Sequence, residues 1–300
     1  MAPKLLNISL VLIFLNTCRV YIGSSNQKEE FDNGHNGSGP ALSIFGDSLS
    51  TGVLASTTLG LVISGVTLDR FNRMFLGSKF SMKDYQSQFS EYRYSAMTTD
   101  LNWGLRHQIA EQHGLSTADI PVFLFSKWGG RTDHLEEFQV EIQDIYKSRK
   151  VSEYVLVQIG GNDYCKEKTA EKFRTDYKKF LNEVFKKHPE SNIFIADIPP
   201  LPQLLNYSHK YSQTLSCTKF RQKFCKRLFY KDAEKVFAEF NQVIKEESNE
   251  AMEQYSNVKF SNLPGKMNLK SEDVAFDCFH PSHRGHEKLG EIYAKWFTLK

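Results

Sequence analysis

Short, almost unbroken apolar runs punctuate the middle of the chain: Val122-Phe123-Leu124-Phe125, Tyr154-Val155-Leu156-Val157-Gln158-Ile159 and Ile193-Phe194-Ile195-Ala196. Runs of this length without polar alternation are the pattern of strands covered on both faces. A shorter run at Ala41 and Leu42, leading into Ile44-Phe45-Gly46, predicts a strand ahead of them, and Val258 to Phe260 predicts a fifth behind. Between the runs, apolar residues recur at helical spacing. Leu101, Leu105, Ile109 and Ala110 share one face; so do Leu135, Phe138, Ile142 and Ile145; so do Phe173, Tyr177, Phe180, Leu181 and Val184; and so do Val236, Phe237, Phe240, Val243 and Ile244. Asp133 with Glu136 three residues on is a cap signal for the second of these, and Pro189 stops the third. Strand and helix alternate, which predicts an α/β domain with three layers, a parallel sheet of about five strands between two layers of helices.

Two segments do not fit the alternation. Residues 51–120 hold no clear strand in front of the helix near Ile109, and their first half is rich in large side chains, Phe71, Met74, Phe75, Phe80 and Phe89. Residues 51–120 are a long insertion, and the aromatics of its first half either cover a site as a lid or pack as core. Residues 198–231 form the second segment, which reads as irregular. It has no acidic residue, and it interleaves Lys210, Lys219, Arg221, Lys223, Lys226, Arg227 and Lys231 with Tyr207, Tyr211, Phe220, Phe224, Phe229 and Tyr230. Over 210–231 such a mixture suits peripheral contact with an anionic membrane, and it equally suits a solvated loop.

Composition narrows the picture at three points. With 40% apolar and 13% aromatic residues, 300 residues can bury a substantial core. A net charge of +3 from 38 basic and 35 acidic residues excludes nucleic acid as a global partner. At the start, Lys4 precedes an apolar run from Leu5 to Leu15, and Gly23 and Ser24 follow. The run is far short of the ~20 residues of a membrane-spanning helix, so residues 1–24 read as a signal peptide, 25–40 as a flexible linker and 41–300 as the domain. The chain is then secreted or periplasmic. Cys165, Cys217, Cys225 and Cys278 remain after cleavage, an even number that suits disulfides; Cys217 with Cys225 is the nearest local bridge, and Cys165 with Cys278 would follow. Buried free thiols are the alternative reading, and no cysteine pair has the short spacing of a structural zinc motif.

Ligands of parallel sheets bind beyond the carboxyl ends of the strands. Beyond the first strand, Gly46-Asp47-Ser48-Leu49 offers Ser48 as a nucleophile. A serine needs a base, an acid to orient that base, and donors for the oxyanion. Asp277-Cys278-Phe279-His280 supplies His280 as the base and Asp277, three residues away on one loop, as its orienter. Gly160-Gly161-Asn162-Asp163 follows the third strand and offers the Asn162 amide to an oxyanion, unless that Asn merely forms the turn. Gly129-Gly130 follows the second strand and allows a sharp turn that brings a backbone N–H to a ligand. Asp47 reads as a loop-shaping neighbour of Ser48. His280, His283 and His286 are spaced by three, but Pro281 starts a helix at Ser282 or His283 that turns His280 away from the others, against a metal site.

In this order these blocks make the chain resemble the GDSL or SGNH hydrolases across about residues 41–298: Gly46 to Leu49, the Gly129-Gly130 turn, Gly161-Asn162-Asp163, and Asp277 to His280. The resemblance implies a flavodoxin-like sheet and a serine esterase or lipase that works through an acyl-enzyme. It casts Ser48, His280 and Asp277 as the triad, and the Ser48 and Gly129 backbone N–H groups with the Asn162 side chain as the oxyanion hole. No cofactor and no metal are implied. Gly130 is the alternative donor, because Phe123 to Trp128 is bulky where the family has an Asn and small residues. The forms Gly-Gly-Asn-Asp-x-Cys and Asp-Cys-Phe-His are similar to the phospholipase B branch, which implies a lipid or phospholipid ester as substrate. The alternatives are a carbohydrate O-acetyl esterase and, from a different class, a catalytically silent lipid- or glycan-binding module.

Overall fold

Each of the short apolar runs becomes a strand. The computed structural model describes residues 39–47, 95–97, 101–126, 129–134, 152–207, 217–275 and 277–298. Within them lie β1 (Leu42–Gly46), β2 (Val122–Ser126), β3 (Tyr154–Gln158), β4 (Asn192–Ala196) and β5 (Val258–Ser261). All pair in parallel, in the sheet order β2-β1-β3-β4-β5. β1 is buried along its whole length, and β3 and β4 everywhere but their first residue, as unbroken apolar runs require.

The six α-helices among the described residues are α1 (Leu105–Gln112), α2 (Gly161–Cys165), α3 (Ala170–Lys187), α4 (Cys217–Phe224), α5 (Ala233–Gln254) and α6 (His283–Thr298). Strand register divides three of them between two layers. Phe45 sits opposite Val157, while Ile44 sits opposite Leu156 and Leu156 opposite Phe194, so Phe45 and Phe194 point to opposite faces. Phe45 meets Phe180 of α3 edge to face at 6.0 Å, and Phe173 of α3 stacks on Phe240 of α5 at 4.4 Å. On the other face Phe194 stacks on Phe297 of α6 at 3.6 Å. α3 begins where Thr169 accepts the Lys172 amide and ends just ahead of Pro189, and α6 begins at His283 behind Pro281.

Three expectations need correction. α1 starts at Leu105, after Gly104, and Leu101 stands exposed ahead of it. Residues 198–231 are not irregular where described: they contain α4 and the 3₁₀ turns Leu201–Asn206 and Lys226–Phe229. Cys217, Phe220, Arg221 and Phe224 recur at helical spacing, and the first three are buried; charge had masked the period. The disulfides are Cys165–Cys225 and Cys217–Cys278, the reverse of the local pairing. Cys217 opens α4 and Cys225 follows its end, so a helix of eight residues holds them about 12 Å apart, beyond the ~7 Å reach of a disulfide. The signal peptide, the linker up to Ser38, the aromatics Phe71 to Phe89 and the helix expected over Leu135 to Ile145 lie outside the described residues.

Behind β4 the chain is fixed by a buried acid. Asp197 accepts the Gly265 N–H at 2.7 Å, and any side chain at Gly265 would collide with its carboxylate. Asn241 of α5 bonds both backbone groups of Ile198, accepting its N–H at 2.9 Å and donating to its carbonyl at 3.1 Å. Burial pushes the Asp197 pKa up to about 7 despite the Gly265 bond. The folded state then keeps a proton that the unfolded chain has lost, so this group makes stability fall as pH rises from about 4 to about 7. Asp197→Asn retains an acceptor for Gly265 and removes the titration. Its Tm is therefore expected to gain steadily on the parent's across that window, and parallel Tm profiles would refute the assignment.

Candidate active site

Three neighbouring strands and one loop deliver the candidate residues to the same end of the sheet. Along β2-β1-β3 the chain leaves β1 for one neighbour and later returns to the other, so the crevice beyond β1 and β3 lies where the connections diverge. Asp47 follows β1 and is buried; Ser48, the next residue, lies outside the described set. Gly160 leaves β3 at φ +126°, a conformation that strains any residue with a side chain, and α2 starts at once, with Asn162 as its second residue. Beyond β2, Gly129 has φ +66° and Gly130 is buried. Asn162 Nδ2 donates to the Gly130 carbonyl at 3.2 Å, so the two glycine-bearing turns touch.

The loop ahead of α6 is closed by its own backbone. Val274 bridges Pro281, Ala275 N–H donates to the His280 carbonyl at 2.7 Å, and Ser282 N–H donates to the Asp273 carbonyl at 2.8 Å. Inside it, Asp277 is fully buried. One carboxylate oxygen accepts the backbone N–H of Phe279 and of His280, each at 3.0 Å, and the other meets His280 Nδ1 at 2.5 Å. Burial alone would push this carboxyl up. The His280 ring and these bonds outweigh it and hold the group below the ordinary aspartate value. Asp277 is therefore an anion whose oxygens are all committed to fixing the ring.

Asp47, Asn162 and His280 line one cleft, with Gln158 and Gly161 beside them and Ile159, Ile198, Pro199, Leu201, Phe279 and Pro281 as its apolar wall. The arrangement brings an oriented imidazole, a side-chain amide and the residue before Ser48 to a common space. The rival histidines face elsewhere. His283 meets Trp103 edge to face at 5.6 Å, and His286 is fully buried, its pKa pushed down to about 3, with Nδ1 accepting the Ala96 N–H at 3.4 Å. Among the described residues no group of three or more His, Cys, Asp or Glu is arranged to hold a metal ion.

Two supports had no role in the sequence reading. The first is α4, which grips the loop of Asp277 to His280 at three points: Cys217 is bonded to Cys278, Arg221 Nε donates to the Cys278 carbonyl at 2.9 Å, and Phe224 packs on Phe279 and edge-on to His280. Cys278 has φ +60°, a left-handed conformation costly for a residue with a side chain, so the loop relies on this grip. The second is a charge cluster under Asn162. Asp163 accepts both the N–H and the hydroxyl of Thr132, and Lys168 joins it at 2.6 Å, Asp176 at 2.9 Å and Asp133 at 3.4 Å. No local signal marks Lys168, because its partners come from three separate segments.

Compared with protein-family models, residues 42–292 match the one described as GDSL-like Lipase/Acylhydrolase. No curated protein matches the chain. Similar solved structures include a family 3 carbohydrate esterase from Clostridium thermocellum, 14% identical with a TM-score of 0.51 over 86% of this chain and 94% of that one. A family two carbohydrate esterase from the same organism, in complex with cellohexaose, is 13% identical with a TM-score of 0.50 over 85% of this chain and 63% of that one. A lipase/acylhydrolase from Enterococcus faecalis is 17% identical with a TM-score of 0.47 over 86% and 95%. At such identities the two esterases are likenesses of fold.

The α4 grip has a measurable weight. Cys217 and Cys278 are 61 positions apart, and a closed loop of that length contributes about 4 kcal/mol through the unfolded state. Replacing both cysteines by Ser is expected to lower unfolding free energy by about that amount in denaturant titration. A loss under about 1 kcal/mol would mean that the bridge adds little to what Arg221 and Phe224 already hold.

Proposed function

This chain belongs to the GDSL-like lipase/acylhydrolase family and is a serine ester hydrolase, and from that premise we propose that Ser48, His280 and Asp277 are its triad. The observation that carries the reading is the shared cleft: His280, already oriented by Asp277, lines it together with Asn162 and with Asp47, the residue before Ser48. His280 Nδ1 is engaged by Asp277, so Nε2 takes the Ser48 proton as Oγ attacks the acyl carbonyl. The developing oxyanion is met by the Ser48 and Gly129 backbone N–H groups and by Asn162. An amide carries two hydrogens; one goes to the Gly130 carbonyl and the other serves the oxyanion. His280 then protonates the leaving alcohol, an acyl-enzyme remains, and water releases it by the same proton path.

The substrate is an ester with an apolar acyl group, of lipid type. The wall of Ile159, Ile198, Leu201 and Phe279 supports this, because apolar lining rewards an apolar chain by about 25 cal/mol per Å² removed from water. A carbohydrate O-acetyl ester is the second reading, with the small acetyl group on the same wall. Two disulfides point to an oxidising setting, extracellular or periplasmic, and cleavage of residues 1–24 as a signal peptide is the proposed route there. No helix among the described residues is long and apolar enough to cross a membrane.

Contact with an anionic lipid surface belongs to the same reading, in a narrower form than 210–231 as a whole. Arg221 and Arg227 are buried and turned inward: Arg221 holds the Cys278 carbonyl, and Arg227 donates to the Lys168 carbonyl at 2.8 Å and lies over the Tyr164 ring. Lys219, Lys223, Lys226 and Lys231 stay exposed, with Phe229 and Tyr230 beside them, and these form the proposed contact.

In purified protein, Ser48→Ala is expected to abolish hydrolysis of short nitrophenyl esters and labelling by a fluorophosphonate, and Asn162→Ala to lower kcat about 100- to 1000-fold. Turnover retained in Ser48→Ala would end the triad reading. Changing Lys219, Lys223, Lys226 and Lys231 to Gln is expected to reduce hydrolysis of anionic phospholipid vesicles while sparing short esters. Equal losses on both substrates would count against the surface contact, and preference for acetylated glycan over both would favour the carbohydrate reading.

A further inference from the structure

Asn162 is held by more than its own helix. Two rungs join the turn beyond β2 to the start of α2: Asn162 Nδ2 to the Gly130 carbonyl at 3.2 Å, and the Thr132 N–H and hydroxyl to Asp163, the hydroxyl at 2.8 Å. The first rung carries oxyanion donors on both of its sides. The second carries charge, and it is shut away from water, Asp163 being fully buried and Thr132 nearly so.

A buried carboxylate that accepts only neutral donors is costly, and this one has a cationic partner. Lys168 reaches Asp163 at 2.6 Å, and its ammonium also touches Asp176 of α3 and Asp133, the residue after Thr132. Its side chain is 9% exposed. One cation thus joins three segments: the turn that bears Gly129 and Gly130, the helix that bears Asn162, and α3 beneath them. Burial works against the ammonium, but the three carboxylates outweigh it and keep Lys168 charged. The Lys168 segment is itself fixed, through Arg227 on its carbonyl and the Cys165–Cys225 bridge just ahead of it.

Without the ammonium, Asp163 would lose its cationic partner, and burial, which already raises its pKa, would drive it to take a proton; the neutral carboxyl holds the Thr132 N–H and hydroxyl less strongly, and the second rung between turn and helix loosens. Loosening there shifts Gly129 relative to Asn162. A surface ion pair would have no such leverage, since it is screened and neither of its partners is tied to a donor of the hole.

We propose that Lys168, acting through Asp163 and Thr132, is a positioning residue that sets the separation of the two halves of the oxyanion hole, the Gly129 turn and Asn162. This rests on the oxyanion role given to Asn162 above. Lys168 touches neither substrate nor reacting atoms; its effect on rate passes through the second rung to the first. A misplacement of about 1 Å in such a constellation lowers rate about 100-fold while leaving the binding wall intact, so the loss falls on kcat rather than KM.

The test uses the full chain, a short nitrophenyl ester, and a double-mutant cycle. Lys168→Met is expected to lower kcat about 10- to 100-fold with KM within about threefold of the parent. Since the residue acts through Asn162, the Asn162→Ala/Lys168→Met double variant should be within about twofold of Asn162→Ala alone, whereas independent effects would multiply. Thr132→Val, which removes the hydroxyl and keeps the backbone N–H, should show a smaller loss with the same non-additivity, and it serves where Lys168→Met does not fold. Parental kcat in a folded Lys168→Met or Thr132→Val, or losses that multiply with Asn162→Ala, would overturn the positioning role alone. Parental kcat in Asn162→Ala would instead overturn the oxyanion assignment, and the positioning role with it.

Discussion

A carboxylate shut away from water must be met by donors, and that requirement shapes the loops at the working end of the sheet. Asp163, Asp197, Asp273 and Asp277 are all buried, and each sits on or next to a segment that borders the cleft. Asp163 ties the turn beyond β2 to α2, Asp197 ties the end of β4 to Gly265, Asp273 ties the loop before α6 to Lys288 on that helix, and Asp277 ties the same loop to the His280 ring. The turn beyond β2 and the start of α2 are short and rich in glycine, with little apolar surface to hold themselves. Directional bonds to a buried carboxyl fix them where packing cannot, because a buried polar group left without its donors costs its full desolvation.

The two disulfides extend the same logic to residues that no strand supports. Cys165–Cys225 and Cys217–Cys278 both end near α4, so that helix is stapled at once to the helix that carries Asn162 and to the loop that carries His280. Arg221 is the clearest sign of what the helix is for. Its guanidinium is buried and donates to the Cys278 and Tyr207 carbonyls. A cation buried on carbonyls is tolerated where it stops a loop from moving, and here the loop includes a residue at φ +60° that would otherwise relax.

How much could be read in advance followed from how local each feature is. The strands were legible because burial on both faces leaves no room for polar residues, a signal contained within each run. Asp277 and His280 were legible as a pair because three residues on one loop can meet without help, and they do. The cysteine pairing was not, since it depends on α4 being a helix, and the helical spacing of Cys217, Phe220, Arg221 and Phe224 was hidden beneath a run of lysines. The basic stretch was read as one surface for the same reason. Whether an arginine faces water depends on carbonyls and rings donated by distant segments, as Arg227 shows with Lys168 and Tyr164. Lys168 was the least legible of all, being defined only by Asp133, Asp163 and Asp176 arriving together.

The placement of charge also accounts for the character of the cleft. Among the described residues no Lys or Arg lines it, although cations lie directly behind its walls. Lys168 faces the carboxylates under Asn162, Lys288 faces Asp273, and Arg221 faces carbonyls behind the loop that carries His280. Each neutralises or anchors a loop from the rear, so beside Asp47 and His280 the front is left to neutral dipoles and apolar side chains. That division favours ester chemistry in two ways. The apolar wall lowers the local dielectric and so strengthens the hydrogen bonds that meet a developing oxyanion. And because the donors there are neutral, they gain most when the carbonyl oxygen becomes charged, which directs their stabilisation to the transition state rather than to the bound ester.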